Sequence, residues 1–230
     1  MMFDISGNFS IYLGGESNSQ HFLPLPEHAN MLIVRQTYKN RISQTHANIN
    51  IKTISSTAAP ELLTPSRLEA QLNQSLAFVK GTASTFIKWV HEFKANHKNQ
   101  LPMGDQAFFQ AAGGDPKICY LHGYYDFGKD EYMKITTDIP NCEYWNFQLE
   151  NYWMESLDYR HFPIHINESS AILNKDKTLT INVSQHNLNI KNNLITEGRN
   201  NGAMLLRWIG ASTHPIPKVE IKKINSMEVT

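Results

Sequence analysis

Alternation of apolar and polar positions dominates the chain, and its period changes once. In "NFSIYLG", Phe9, Ile11 and Leu13 fall on one side. In "MLIVRQTY", Leu32 and Val34 oppose Ile33, Arg35 and Thr37, and in "ANINIKTI", Ile49, Ile51 and Thr53 oppose Asn48, Asn50 and Lys52. A period of two predicts three half-buried strands. From Thr64 the period lengthens. Thr64 is placed to cap a helix, Pro65 takes its first position, and Leu68, Leu72, Leu76 and Val79 follow at helical spacing. Gly81 interrupts that stripe, and Phe86, Trp89, Val90 and Phe93 resume it. The pattern predicts a helical hairpin over about 64–97, laid on something apolar.

After "LPMGDQAFFQAAGGDP", a loop with a short helix over 105–112, alternation returns in "KICYLHG", "YMKITTDI", "EYWNFQL", "FPIHIN", "TLTINVS", "AMLLRWIG" and "KVEIKKI". "NKDK" reads as a tight hairpin between two of these strands. Seven late strands and three early ones, interrupted by helix, predict a mainly β fold: a jelly-roll-like antiparallel β-sandwich with an inserted helical hairpin. Without a repeat or low-complexity linker, residues 1–230 read as a single β-sandwich domain. A chain of 230 residues buries roughly 70% of its unfolded surface without staples.

Composition narrows the function classes. Lys plus Arg and Asp plus Glu stand at 21 each, so no net field draws the protein to nucleic acid or an anionic membrane. Cys119 and Cys142 lack CxxC spacing and read as buried free thiols of a reducing compartment. The opening "MMFDISGNFS" has neither a basic region nor a long apolar one, and no run approaches the ~18 apolar residues of a membrane span. The expectation is a cytoplasmic protein that takes no cofactor.

"CEYWNFQLENYWMESLDYR" resembles the signature of the bacterial domain-of-unknown-function family 1214. "HFLPLPEHANMLIVRQTY", "GGDPKICYLHGYYDFGKDEYMKI" and "NLITEGRNNGAMLLRWIGA" with "HPIPKVEI" resemble further family segments in the same order. There are departures. Members tend to carry an Asp-Pro-Gly-like turn and an Asn-Trp pair where this chain has Asn187, Leu188, Asn189, Asn192 and Asn193. Arg199 stands where a His often follows the glycine. The resemblance implies a jelly-roll-like domain with a helical insert, sometimes preceded by a further segment, and no established chemistry.

Within that stretch, period two puts Trp145, Phe147 and Leu149 in the core and Tyr144, Asn146 and Gln148 on the opposite face, with Glu150 following. A Tyr/Asn/Gln face suits a polar ligand in a sandwich mouth, or simply solvent. Asp158 and Arg160 suit a bidentate pair, and Arg160 is equally a candidate grip for an anion. Tyr152, Trp153 and Tyr159 could offer a stacking platform, although burial of one or two is expected. His161 and His165 would lie about 13 Å apart along a strand, too far for one metal ion, so no metal site is expected. No nucleophile elbow or phosphate loop is present, and no catalytic residue is assigned. Arg207, alternating with Leu206 and Trp208, needs a partner if buried.

The favoured expectation is a domain binding a small polar or anionic molecule through Tyr144, Asn146, Gln148, Arg160, His165 and Arg207. One alternative is a hydrolase- or isomerase-type enzyme using His165 with Asp158 or Glu150. The other is an interaction module, pairing with itself or with a separately encoded segment.

Overall fold

The computed structural model describes residues 3–14, 21–29, 32–54 and 62–224. The chain divides into two compact units, Met1–Tyr38 with Thr45–Ile49, and Lys39–Gln44 with Asn50–Thr230.

In the first unit, β1 (Tyr12–Leu13) pairs in parallel with β2 (Phe22–Leu23). Gln36 clasps the backbone of Ala47 through both ends of its amide, and the Tyr38 hydroxyl meets His46 Nδ1 at 2.6 Å. Here the three predicted early strands need correction. Only Tyr12–Leu13 falls within one of them, and the described residues of 32–38 and 47–54 form no strand. Leu32, Ile33, Val34, Ile49 and Ile51 are exposed. Alternation alone does not make a strand, because the backbone groups also need a ladder to pair with.

The second unit opens with α1 (Pro65–Asn96). Thr64 Oγ1 accepts from the Arg67 N–H and Pro65 sits at its start, as the capping pattern predicts. The predicted hairpin is corrected: α1 is one continuous helix running through Gly81. A lone glycine costs a helix about 1 kcal/mol, well short of breaking it. Burial within α1 is confined to two residues of its last third. Val90 and Phe93 pack inward, whereas Leu68, Leu72, Leu76 and Val79 are exposed. The expected apolar surface beneath the first half is therefore not found among the described residues. The short α2 (Gln106–Ala111) follows, capped by Asp105.

The remaining strands are β3 (Ile118–Asp126), β4 (Glu131–Thr137), β5 (Tyr144–Leu149), β6 (His165–Asn167), β7 (Leu179–Ser184), β8 (Asn193–Ile195), β9 (Asn201–Ile209) and β10 (Lys218–Lys223). All seven predicted late strands are present. The three-residue β8, too short to alternate legibly, was not foreseen. "NKDK" does form a turn, with Lys177 N–H donating to Asn174 O. The residues before it form no strand, so it leads into β7 without making a β-hairpin. Two four-stranded sheets result, β10-β4-β7-β8 and β3-β9-β5-β6, antiparallel except for the β7–β8 pair.

One apolar cluster draws on both sheets, with Trp145, Phe147, Leu206 and Trp208 from one and Met133, Ile135, Ile181 and Val183 from the other. A second cluster joins Val90 and Phe93 of α1 and Phe109 of α2 to Tyr124 of β3. Gly123 admits this arrangement. A Cβ there would lie 2.0 Å from Gln100 O, in the segment that crosses β3 after α1.

Candidate functional site

The β3-β9-β5-β6 sheet presents two unlike faces, and the register fixes which residues share each. Opposite one another across the sheet stand Tyr120, Arg207, Asn146 and Asn167 in one row, and His122, Leu205, Gln148 and His165 in the next. Directly paired residues point to the same side. Tyr144, Asn146, Gln148, His165 and Arg207 therefore share one face. Trp145, Phe147 and Leu149 are buried on the other, as the alternation predicts.

Gln148 organises the polar face. Its Oε1 accepts from Arg207 Nη1 at 3.0 Å, and its Nε2 donates to Glu150 Oε1 at 2.5 Å. The amide is thus oriented by its neighbours, oxygen toward the cation and nitrogen toward the carboxylate, and it relays an Arg–Glu attraction across the face. Glu150 is only 4% exposed. Burial pushes its carboxyl up to about 7, against the opposing pulls of Arg207 and the Gln148 hydrogen bond. Two buried acceptors on this face, Glu150 Oε2 and Asn146 Oδ1, have no hydrogen-bond partner among the described residues.

Toward β3 the face turns aromatic. His122 stacks on Phe93 at 4.9 Å between ring centroids and on Tyr120 at 6.1 Å, with Phe109 tilted against it at 4.7 Å. Desolvation, then the charges of Arg207 and His97, hold its pKa down at about 3. It is neutral at pH 7, and its Nδ1 is buried without a partner among the described residues.

At the β6 edge, Asn167 Nδ2 donates to Tyr144 Oη and to Lys39 O, and Lys39 pairs with Glu168 at 2.5 Å. The strap 39–44 is thereby tied beside Tyr144. Arg41 lies over the Tyr159 ring at 4.2 Å. Partial desolvation and then Arg41 lower the pKa of His165.

Arg160 is not brought to this face. It forms the predicted bidentate pair with Asp158, at 2.9 and 3.1 Å, on an exposed turn. Trp153 and Tyr159 are also exposed, while Tyr152 packs against the second apolar cluster. Sequence reasoning placed Glu150 at the end of the polar stripe and as an alternative acid–base partner of His165, and it gave His122 no place in the lining. Alternation within "KICYLHG" could have set His122 on the Tyr120 side. Pairing that side with Arg207 requires the β3–β9 register, which no local pattern carries.

Among the described residues, no group of three or more His, Cys, Asp and Glu side chains is placed to hold a metal ion. Cys119 is buried and Cys142 partly so, both as free thiols, and burial raises the pKa of each. An open hollow of about 310 Å³ in the first unit is lined by Phe3, Asp4, Asn8, Phe9, Ser10 and His21, none of them a predicted site residue. No described helix is long and apolar enough to cross a membrane.

No family model and no curated protein matches the chain. Among solved structures, the crystal structure of an uncharacterized protein from Burkholderia cenocepacia is 36% identical with a TM-score of 0.91, over 97% of this chain and 62% of that one. This chain therefore spans under two thirds of that protein's length. A Vibrio parahaemolyticus protein aligns over 71% of this chain and 47% of its own, at 13% identity and a TM-score of 0.39.

Proposed function

We propose that this chain is a jelly-roll-like β-sandwich of the cytoplasm, akin to the domain-of-unknown-function family 1214, that binds a small polar molecule on the polar face of the β3-β9-β5-β6 sheet. The family kinship rests on the motif residues around 142–160. The binding reading is carried by one observation: the Arg207–Gln148–Glu150 hydrogen-bond chain lies on a half-buried face together with two unpartnered buried acceptors. Buried polar atoms are nearly always paired, so orphans gathered on one face call for an outside partner. Tyr144, Asn146, Gln148, His165 and Arg207 line the site with Glu150. Arg160 is assigned no grip, because Asp158 already engages its guanidinium on both sides. A thermal-shift screen of small metabolites tests the reading. A hit should raise the melting temperature of the wild type and not of Gln148→Leu, and an equal rise in both would refute it.

Acid–base catalysis on the bound molecule is a second reading, favoured by Glu150, whose carboxyl near 7 can give or take a proton at neutral pH. It replaces the His165–Asp158 pairing, since Asp158 is committed to Arg160. Mass spectrometry of a hit incubated with wild type and with Glu150→Gln decides: conversion by the wild type alone supports catalysis, and recovery unchanged from both rejects it.

The expectation of a partner is supported by the outer part of α1. Leu72, Leu76 and Val79 follow a four-and-three spacing, Phe86 stands one heptad past Val79, and all four are exposed. Arg67, Glu69 and Lys80 are the charged residues of that part, so a second copy of the chain meets no block of like charge. Light scattering should show a dimer that Leu72→Glu with Leu76→Glu dissociates. A concentration-independent monomer would reject it.

A further inference from the structure

The polar face is as informative about what it rejects as about what it accepts. Glu150 Oε2 and Asn146 Oδ1 are buried acceptors without a donor among the described residues. Of the donors on the face, Arg207 Nη1 is given to Gln148 Oε1 and Gln148 Nε2 to Glu150 Oε1. A sulfate or carboxylate has lone pairs and no hydrogen to give, and hydrogen phosphate has one. Any of them would set its charge against the Glu150 carboxylate and leave at least one of the acceptors unpaired, and an unpaired buried acceptor costs more than a typical hydrogen bond returns. A cationic amine has hydrogens to give but would meet the Arg207 guanidinium at the centre of the same face.

A hydroxyl meets both constraints. It carries no charge, donates one hydrogen and accepts in return. It can therefore satisfy Glu150 Oε2 whether that carboxyl is ionised or protonated. Asn146 and Gln148 lie two residues apart on β5, and Glu150 follows at its end. Asn146 and Glu150 are four residues apart, about 13 Å along the strand, so the two acceptors suit hydroxyls toward opposite ends of a disaccharide or an extended polyol.

Resting on the binding reading above, we infer that the ligand of this face is a neutral polyhydroxylated compound, a sugar or polyol, held by hydroxyl donation to Asn146 Oδ1 and Glu150 Oε2.

Calorimetric titration of the full chain at pH 8 tests this with three probe sets. The first is sucrose, maltose, trehalose and mannitol; the second is inorganic phosphate, sulfate and succinate; the third is putrescine and spermidine. Asn146→Leu, Glu150→Gln and Arg207→Gln are titrated alongside, each first checked for a wild-type-like cooperative melt. The expected result is binding from the first set only, weakened at least tenfold in Asn146→Leu or Glu150→Gln, whichever retains the fold. Binding from the second set alone, lost in Arg207→Gln, or from the third set alone, lost in Glu150→Gln, would overturn the polyol assignment while leaving the face as the binding site. No binding from any set, or binding indifferent to all folded variants, would overturn the binding reading and the assignment with it.

Discussion

The two faces of the β3-β9-β5-β6 sheet are built from the same strands, one residue out of step. On one side, Trp145, Phe147, Leu206 and Trp208 join the core shared with the second sheet. On the other, Asn146, Gln148 and Arg207 form a half-buried polar array ending in the buried Glu150. The apolar face is saturated: its side chains pack on one another, and the Trp208 indole N–H donates to Pro215 O. The polar face is over-determined in one direction and incomplete in another. Gln148 is pinned from both ends, while Asn146 Oδ1 and Glu150 Oε2 are left without partners among the described residues. Satisfied packing marks structure, and ordered polar groups with unmet hydrogen bonds mark a place for something else.

The contrast is open to attack from both sides. The largest effect belongs to the apolar face. Trp145 is 2% exposed, so Trp145→Ala should cost about 3–5 kcal/mol by urea denaturation, whereas Tyr144→Phe should cost far less. Equal losses would erase the distinction between the faces.

Next comes Glu150. Its folded pKa is raised from 4.5 to about 7, so the native state holds the proton more tightly than the unfolded chain does. Its contribution to stability is full below pH 4.5 and is lost as pH rises through about 7. Glu150→Gln removes that loss. It should stabilise the protein by about 3 kcal/mol at pH 8 and by under about 1 kcal/mol at pH 5. A pH-independent effect would mean the carboxyl is not desolvated.

His122 runs the opposite way. Its pKa falls from 6.5 to about 3 on folding, so its contribution is full above pH 6.5 and lost as pH falls toward 3. His122→Phe should leave stability at pH 7.5 nearly unchanged. It should also spare the variant about 2 kcal/mol of the loss the wild type suffers from this group between pH 6.5 and 5. Between pH 6.5 and 4.5 the two residues oppose each other, so the wild-type profile should be flatter there than that of either variant.

Arg160→Ala is expected to do least. The exposed Asp158–Arg160 pair is solvent-screened and away from the polar array. Melting temperature and ligand response should both stay at wild-type values.

Period two was enough to read the seven late strands and to sort Trp145, Phe147 and Leu149 from Tyr144, Asn146 and Gln148, because burial on one face imposes alternation locally. The same signal misled over 32–38 and 47–54, where alternating residues have no ladder to join among the described residues. Gly81 misled for a related reason: local propensity is a weak prior, and one glycine does not break a 32-residue helix. The site was half legible. Arg207 and Gln148 could be nominated by residue type, but their contact is a matter of register between strands far apart in sequence. The burial of Glu150 and the aromatic stack around His122 likewise arise from tertiary packing, which no spacing within β3 or β5 announces.

The central claim is that the polar face holds a ligand through the atoms it leaves unpaired. The most direct measurement is a crystal structure of the protein with the strongest binder from the screen. Ligand hydroxyls within hydrogen-bond distance of Asn146 Oδ1 and Glu150 Oε2 are the predicted result. A ligand seated elsewhere on the molecule, with both oxygens paired only to protein or ordered water, would contradict it.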